Sequence, residues 1–331
     1  MNTRRFASFA CFSLAVTALV AAAGADSPPP TPPPPAPAAS DLHLRLPRPA
    51  APSLPSAGRA HAAFFQAFEG ERYETIPAVL QQLAGAFVEN PRDAQTALLL
   101  GHTHLWKAGE RAREEKRDPT TIDHVVLAEH YFEQAHRLAP EDHRILGWLG
   151  TTRLSLGAAR KDDALRGEGD RMLDEAVRRH PQFNLFTAAF VRASLPASDP
   201  KFHAALEQMW RNIETCSGAT PGATEGGEVN IYDLAQRAAP VCANTEKAPH
   251  NFEGFILTLG DMLMKAGKEE QAIGVYERAK LAPTYTAWPY RELLEKRVQD
   301  APETARRIRN GEPAPMVPGS TYTCMACHAR R

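Results

Sequence analysis

Residues 251–283 have the sequence NFEGFILTLGDMLMKAGKEEQAIGVYERAKLAP, and this stretch decides the fold. The positions that define its pattern are, in order, Leu259, Gly260, Gly267, Ala272, Tyr276, Ala279 and Pro283. The alanine, tyrosine and second alanine are separated by four and then three residues, which places them on one face of a helix. The proline ends that helix because it cannot continue the hydrogen-bond ladder. The stretch therefore predicts a pair of helices.

The same pattern recurs upstream, so the chain contains internal repeats. One unit has Leu100, Gly101, Ala128, Phe132, Ala135 and Pro140; another has Trp148, Leu149, Gly150, Leu173, Ala176 and Pro181; the weakest has Val79, Leu83, Ala86 and Pro91. Two of these units depart from the pattern through the insertions ERAREEKRDPTTID and AARKDDALRGEGD. A further helical pair around 184–216 keeps almost none of the signature. We expect a series of two-helix units.

These units resemble the tetratricopeptide repeat family, and the resemblance covers most of 60–286. The unit at 253–286 matches that family over almost its full length. The resemblance implies an all-α solenoid of helical hairpins, with roughly four to six repeats, in which the small residues let two helices cross closely. We place this helical domain at 60–310, with a polar helix pair after the last repeat as its cap.

Composition agrees with an all-α body and excludes one class of partner. Alanine, leucine and charged residues dominate the chain of 331 residues, while runs of β-branched residues are scarce. The 38 basic and 39 acidic residues nearly balance, and they form no polybasic stripe. We therefore expect no nucleic-acid partner.

The N-terminal sequence predicts export. MNTRR provides a positive segment, an apolar run follows, and Ala23-Gly24-Ala25 matches a signal-peptidase site, so 1–25 is predicted to be a signal peptide. An uncleaved membrane anchor is the alternative, since the apolar run is nearly long enough to span a bilayer. Residues 26–59 are rich in proline and alanine, which predicts an extended linker. We expect the protein to reside in the bacterial periplasm.

Residues Cys324, Cys327 and His328 form the motif C-x-x-C-H within the C-terminal segment 311–331. This motif is the signature of c-type haem attachment. Two thiols at this spacing reach the two vinyl groups of one porphyrin, and the adjacent histidine becomes the proximal iron ligand. The sequence therefore predicts one covalently attached haem c, carried at one tip of the helical body.

Three alternatives to haem remain open for this motif. A thioredoxin-like redox pair would require a βαβ context, which a helical repeat lacks. A zinc site would require one more cysteine or histidine at ligand spacing, and none is adjacent. A disulfide hairpin between Cys324 and Cys327 would give no role to His328.

The sequence leaves the sixth iron ligand undecided. Met316 is the nearest candidate upstream, whereas Met325, inside the motif, is expected to point away from the iron. The remaining histidines considered, His102, His104, His203 and His250, belong to the helical body, where a surface or packed histidine is the simpler interpretation. An open or partner-supplied position is a further alternative. Candidates to contact the porphyrin or its propionates are Trp288, Tyr290, Tyr322, Arg330 and Arg331.

Two cysteines outside the motif suit an oxidising compartment. If the signal peptide is removed, Cys216 and Cys242 remain beside the motif pair. They flank a glycine-rich loop and are expected to form a disulfide, which would stabilise the fold by roughly 3 kcal/mol through loop closure.

These predictions favour an exported monohaem c-type cytochrome whose repeat body docks a redox partner, either another cytochrome or an oxidoreductase. One alternative is a periplasmic assembly scaffold with a structural or sensory haem. A second is a peroxidase-like haem enzyme, which would need an open distal side with a catalytic histidine or arginine. No hydrolytic triad or paired carboxylate stands out in the sequence to suggest hydrolysis. An electron carrier or binding protein is therefore favoured over an enzyme, although the question stays open. A membrane contact is expected only if the signal peptide is retained.

Overall fold

The computed structural model describes residues 54–116, 119–217 and 251–329, which all belong to one compact unit that spans 44–331. Several predictions fall on residues outside this description. They concern the signal peptide, almost all of the linker, the Cys216–Cys242 disulfide, His250, Arg330 and Arg331.

Helices make up the regular structure of the described residues, which contain no strand. In chain order they are α1 (Pro55–Glu69), α2 (Ile76–Glu89), α3 (Ala94–Gly109), α4 (Thr121–Leu138), α5 (His143–Arg160), α6 (Asp163–Arg179), α7 (Pro181–Arg192), α8 (Pro200–Ser217), α9 (Phe252–Lys265), α10 (Glu269–Ala279), α11 (Arg291–Gln299), α12 (Ala301–Arg309) and α13 (Met325–His328). The prediction of an all-α fold is confirmed. Within the described ranges, none of these helices has both the length and the apolar character to cross a membrane.

The first ten helices pack as five consecutive pairs, from α1–α2 to α9–α10, and α11–α12 follow as a shorter pair. Side-chain caps mark where several of these helices begin. Asp93 accepts hydrogen bonds from the amides of Gln95 and Thr96 at the start of α3, and Asn251 accepts one from Gly254 at the start of α9. The helical pairs are therefore marked by local capping.

Glycine allows the two helices of a pair to cross closely, as the repeat pattern predicts. A Cβ atom on Gly260 would lie 2.1 Å from the ring of Tyr276, and one on Gly101 would lie 2.6 Å from the ring of Phe132. A Cβ atom on Gly150, the third Leu-Gly position, would lie 2.9 Å from the Gly169 oxygen, so the close crossing expected at the Leu-Gly positions is present at all three. Nearly all of the insertion AARKDDALRGEGD is helical, since it forms the end of α5 and the start of α6.

A buried carboxylate directs the C-terminal segment back onto the helical body. Asp261 on α9 is fully buried, and its Oδ2 atom accepts a hydrogen bond of 2.9 Å from the amide of Val317. Its Oδ1 atom accepts hydrogen bonds from the Tyr276 hydroxyl at 2.7 Å and from Arg297 Nε at 3.0 Å. Burial raises the pKa of Asp261, whereas Arg297 and the hydrogen bonds oppose that rise. The residues that follow Val317 therefore stay against the repeats.

Candidate functional site

The motif helix α13 is buried against both the first and the fifth helical pair, through contacts with α1 and α9. The exposed fractions of Cys327 and His328 are 3% and 8%, and Met325 is fully buried. The expectation that the motif lies at one tip of the body is therefore wrong. The motif instead packs against α1 and α9, and the amides of Cys324 and Met325 donate hydrogen bonds to Glu110, which follows α3 more than two hundred positions upstream.

Helix α9 and the loop after α10 support the motif backbone from one side. The amide of Asn251 donates a hydrogen bond of 2.7 Å to the carbonyl of Cys327, and Trp288 Nε1 donates one of 3.1 Å to the carbonyl of Ala326. Gly254 lies so near the motif that a Cβ atom there would be 2.3 Å from the Ala326 oxygen. Only glycine permits this approach of α9 to α13.

A buried glutamate anchors the start of the motif. Glu110 follows α3 and is fully buried, and its Oε1 atom accepts hydrogen bonds of 2.9 Å from the amides of both Cys324 and Met325. Arg113 Nε donates to the other carboxylate oxygen at 2.5 Å. Burial raises the pKa of Glu110, and Arg113 and the two amides counteract this rise. The carboxylate fixes the backbone from which the first motif cysteine projects.

Both motif cysteines and His328 line one cavity of about 370 Å³. Most of the other wall residues belong to the first helices of four consecutive pairs, α1, α3, α5 and α7, or to the segment around Pro318, and Val125 of α4 also contributes. Aromatic side chains dominate these walls, including Phe68, Trp106, Trp148, Phe186 and Phe190. Cavities of about 300–1,000 Å³ that are mostly apolar, with a few polar groups, are typical of small-molecule and cofactor sites.

The two thiols of the motif are free and protonated at neutral pH. Burial, with Glu110 and Cys327 nearby, raises the pKa of Cys324 well above its usual value. Burial raises the pKa of Cys327 to about 12, although a hydrogen bond with Thr258 acts against it. A redox-active or metal-binding cysteine pair ordinarily has a lowered pKa, because the thiolate is the nucleophile and the ligand. These thiols lack that electrostatic preparation.

Two histidines share the cavity. His328 packs against Phe68 with ring centroids 4.9 Å apart and the rings tilted by 43°, while His102 projects from α3 and is partly buried. Burial, and the nearby His328, lower the pKa of His102 to about 3. Its imidazole is therefore neutral at neutral pH, which is the form that binds metals.

The other residues singled out from the sequence do not line this cavity. Met316 packs on the core cluster formed by the later helices, and Met325 packs among Phe64, Phe68 and Trp106. The aromatic side chains of Trp288, Tyr290 and Tyr322 contact one another in that order, outside the cavity. Elsewhere, His104 pairs with His124 at 2.8 Å between their Nδ1 atoms, and His203 is exposed on α8.

Sequence reasoning missed three residues of the site. His102 was grouped with the packed histidines, and Glu110 and Arg111 lie at the start of a stretch treated as an insertion. Arg111 is exposed and also lines the cavity, so it lies where the cavity meets solvent. No local sequence signal marks these residues, because each acts through contact with a segment far away in the chain.

Comparison with known proteins gives no relative: no family model, curated protein or solved structure matches the chain. Within the ranges that the structure describes, no group of three or more His, Cys, Asp or Glu side chains is arranged to hold a metal ion.

Proposed function

We propose that this protein is an exported c-type cytochrome that holds one covalently attached haem in its inner cavity and exchanges electrons with a partner protein. In this proposal Cys324 and Cys327 would hold the haem through two thioether bonds, and His328 would be the proximal iron ligand. One observation carries the proposal, namely that all three motif side chains line the same apolar cavity.

The residues present fit a haem. Its porphyrin is a large apolar ring, and the cavity offers aromatic walls and a volume of about 370 Å³. The thiols are free and protonated, as expected before thioether formation, and not electrostatically prepared as thiolates. The C-x-x-C-H spacing, with a histidine directly after the second cysteine, favours haem over the zinc and redox-pair alternatives.

The surrounding side chains would position the group and keep water away from it. When bound, the haem supplies one-electron chemistry at its iron. Glu110 holds the backbone of Cys324 in place, and Phe68 packs against the ring of His328. The guanidinium of Arg111, at the solvent end of the cavity, is suited to pair with a propionate.

Export and partner docking complete this proposal. The predicted signal peptide, 1–25, would deliver the chain to the bacterial periplasm, where haem is attached to such motifs. The repeat body, by its resemblance to tetratricopeptide repeats, would offer a docking surface for another cytochrome or an oxidoreductase. A membrane contact would arise only from a retained signal sequence.

Two alternatives have some structural support. A scaffold with a structural haem is favoured by the contacts of α13 with both α1 and α9, since a haem fixed there would tie together distant helical pairs. A peroxidase-like activity is favoured by the presence of His102 and Arg111 in the cavity wall, since a catalytic histidine or arginine is what that chemistry needs.

The experiment that tests the proposal is expression of the full chain in bacteria that possess the haem-attachment machinery. We expect haem to stay with the polypeptide through denaturing electrophoresis, and to be lost in the C324A and C327A variants. The H203A variant is the control, and it should retain haem because His203 is exposed on α8, outside the motif and the cavity wall. The proposal fails if the wild-type chain carries no covalent haem in cells that load a reference c-type cytochrome.

Redox measurements then separate electron transfer from the alternatives. The proposal predicts reversible one-electron reduction and rapid electron exchange with a small c-type cytochrome. Fast turnover of hydrogen peroxide would instead identify an enzyme. A loaded protein that exchanges no electrons, but is much more stable than the haem-free chain, would identify the structural role.

A further inference from the structure

We propose that His102 is the second axial ligand of the iron, so that this protein carries a haem with two histidine ligands. This inference rests on the proposed function, because it presumes a haem attached through Cys324 and Cys327 with His328 on one side of the iron. It replaces Met316, the residue nearest in sequence, with a residue more than two hundred positions upstream.

The shared cavity is the first observation that selects His102. His102 lies in the part of the cavity wall formed by α3, whereas His328 lies in the part formed by the C-terminal segment. These are the two histidines of the cavity wall, and the described wall residues include no methionine, lysine or tyrosine. A ligand from the protein itself would therefore be an imidazole, and His102 is the one not already used by the motif.

The orientation of the ring is the second observation. His102 is held edge-on by two aromatic side chains, with ring centroids 5.2 Å from Phe132 and 4.7 Å from Trp148. Its neighbour Gly101 is pressed against the same Phe132, so the backbone at this point of α3 cannot rotate freely. A ligand fixed in this way loses little conformational entropy on coordination.

The third observation is that the ring is available. In the described part of the chain His102 makes ring contacts, and no hydrogen bond occupies either of its nitrogens. By contrast, His104, two positions further along α3, is engaged with His124 and faces away from the cavity. The two histidines are similar in sequence context and different in their freedom to bind.

The test is the spin and ligation state of the loaded protein, read from optical, electron paramagnetic resonance and near-infrared magnetic circular dichroism spectra. For the ferric wild-type protein we expect a six-coordinate, low-spin haem with two imidazole ligands. The H102A variant should keep its covalent haem and become high-spin, and added free imidazole should restore the low-spin spectrum. The H203A variant is the control, and its spectrum should not change because His203 is exposed on α8.

A conservative variant covers the case in which H102A does not fold. H102M should remain six-coordinate and have a higher reduction potential, because methionine ligation raises the potential of a c-type haem. A five-coordinate wild-type spectrum would overturn the inference, and so would a low-spin spectrum that neither His102 variant alters. A wild-type chain without covalent haem would instead overturn the proposed function, and this inference with it.

Discussion

Replacement of Gly254 by alanine is the sharpest test of how the motif is positioned. The new Cβ atom would lie 2.3 Å from the Ala326 oxygen and 2.7 Å from the Cys327 Cα atom, whereas ordinary contacts begin at 3.4 Å. Both neighbours belong to the backbone of α13, which cannot rotate out of the way as a side chain can. The motif helix must therefore retreat by about 1 Å or detach from α9.

The magnitude follows from two opposing effects. Overpacking of a well-packed contact costs about 1–3 kcal/mol, while alanine in a helix is more favourable than glycine by about 1 kcal/mol. The matched control is Gly274→Ala on α10, where the position is exposed and a Cβ atom meets nothing within 4 Å. We expect that control to stabilise the protein by about 0.5–1 kcal/mol. The difference between the two variants isolates the clash, at about 1–3 kcal/mol.

Two measurements on the haem-free full chain reveal the effect. Urea unfolding followed by circular dichroism gives the free energy of unfolding for each variant. Alkylation of Cys327 followed by mass spectrometry reports local opening, because this thiol is only 3% exposed while α13 is docked. We expect alkylation to be faster in Gly254→Ala alone. Equal unfolding free energies and equal alkylation rates in the two glycine variants would refute the docking of α13 on α9.

Three further predictions concern buried polar groups. Glu110→Gln should lower the free energy of unfolding by about 1–3 kcal/mol, since it removes the charge that holds two amides and an arginine, and urea unfolding measures this; an unchanged midpoint would contradict the anchoring role. Burial lowers the pKa of His104 to about 4, so below about pH 6.5 the unfolded chain binds a proton at this residue that the folded chain does not. The free energy of unfolding therefore falls by about 1.4 kcal/mol per pH unit as the pH drops from about 6.5 toward 4. Urea midpoints at pH 7 and pH 5 should therefore differ less in His104→Asn than in wild type. Tyr276→Phe should cost about 1.5–3 kcal/mol because it removes a buried donor from the Asp261 carboxylate. Tyr285→Phe, whose bond to the exposed Glu295 is 3.4 Å long, should cost less than about 1 kcal/mol in the same assay.

The fold could be predicted where its cause is local. The α9–α10 pair was predictable because small residues mark the close crossing, and Gly260 does lie directly under Tyr276. The α7–α8 region keeps little of the repeat signature, and a polar side chain of α7 holds it to the preceding helical pair. Asn184 donates to the carbonyls of His143, Ala176 and His180, each at 3.1 Å, and thereby joins neighbouring pairs. A single buried asparagine has no periodicity for sequence analysis to detect.

The C-x-x-C-H motif could be found in the sequence, but its position in the fold could not. The spacing of Cys324, Cys327 and His328 is local, so the sequence alone shows it, and haem attachment there stays a prediction. The contact of Glu110 with the motif cannot be found in the sequence, because Glu110 and Cys324 are 214 residues apart in the chain. His102 and His104 look alike for the same reason, and only the cavity distinguishes them. In each case the deciding information is a contact between residues far apart in the chain, which the sequence does not display.

Two buried carboxylates explain why the motif is held inside the body and not displayed at its tip. Glu110 on the α3 side and Asp261 on α9 each accept backbone amides from the C-terminal segment. If that segment left, Glu110 and Asp261 would keep their arginine partners but lose these amide donors, and a hydrogen bond to a charged group contributes about 1.5–3 kcal/mol. A body that merely presented the motif to solvent would need neither group. The site and the fold are therefore stabilised by the same contacts, and a cofactor bound only by the docked state would stabilise the whole helical body.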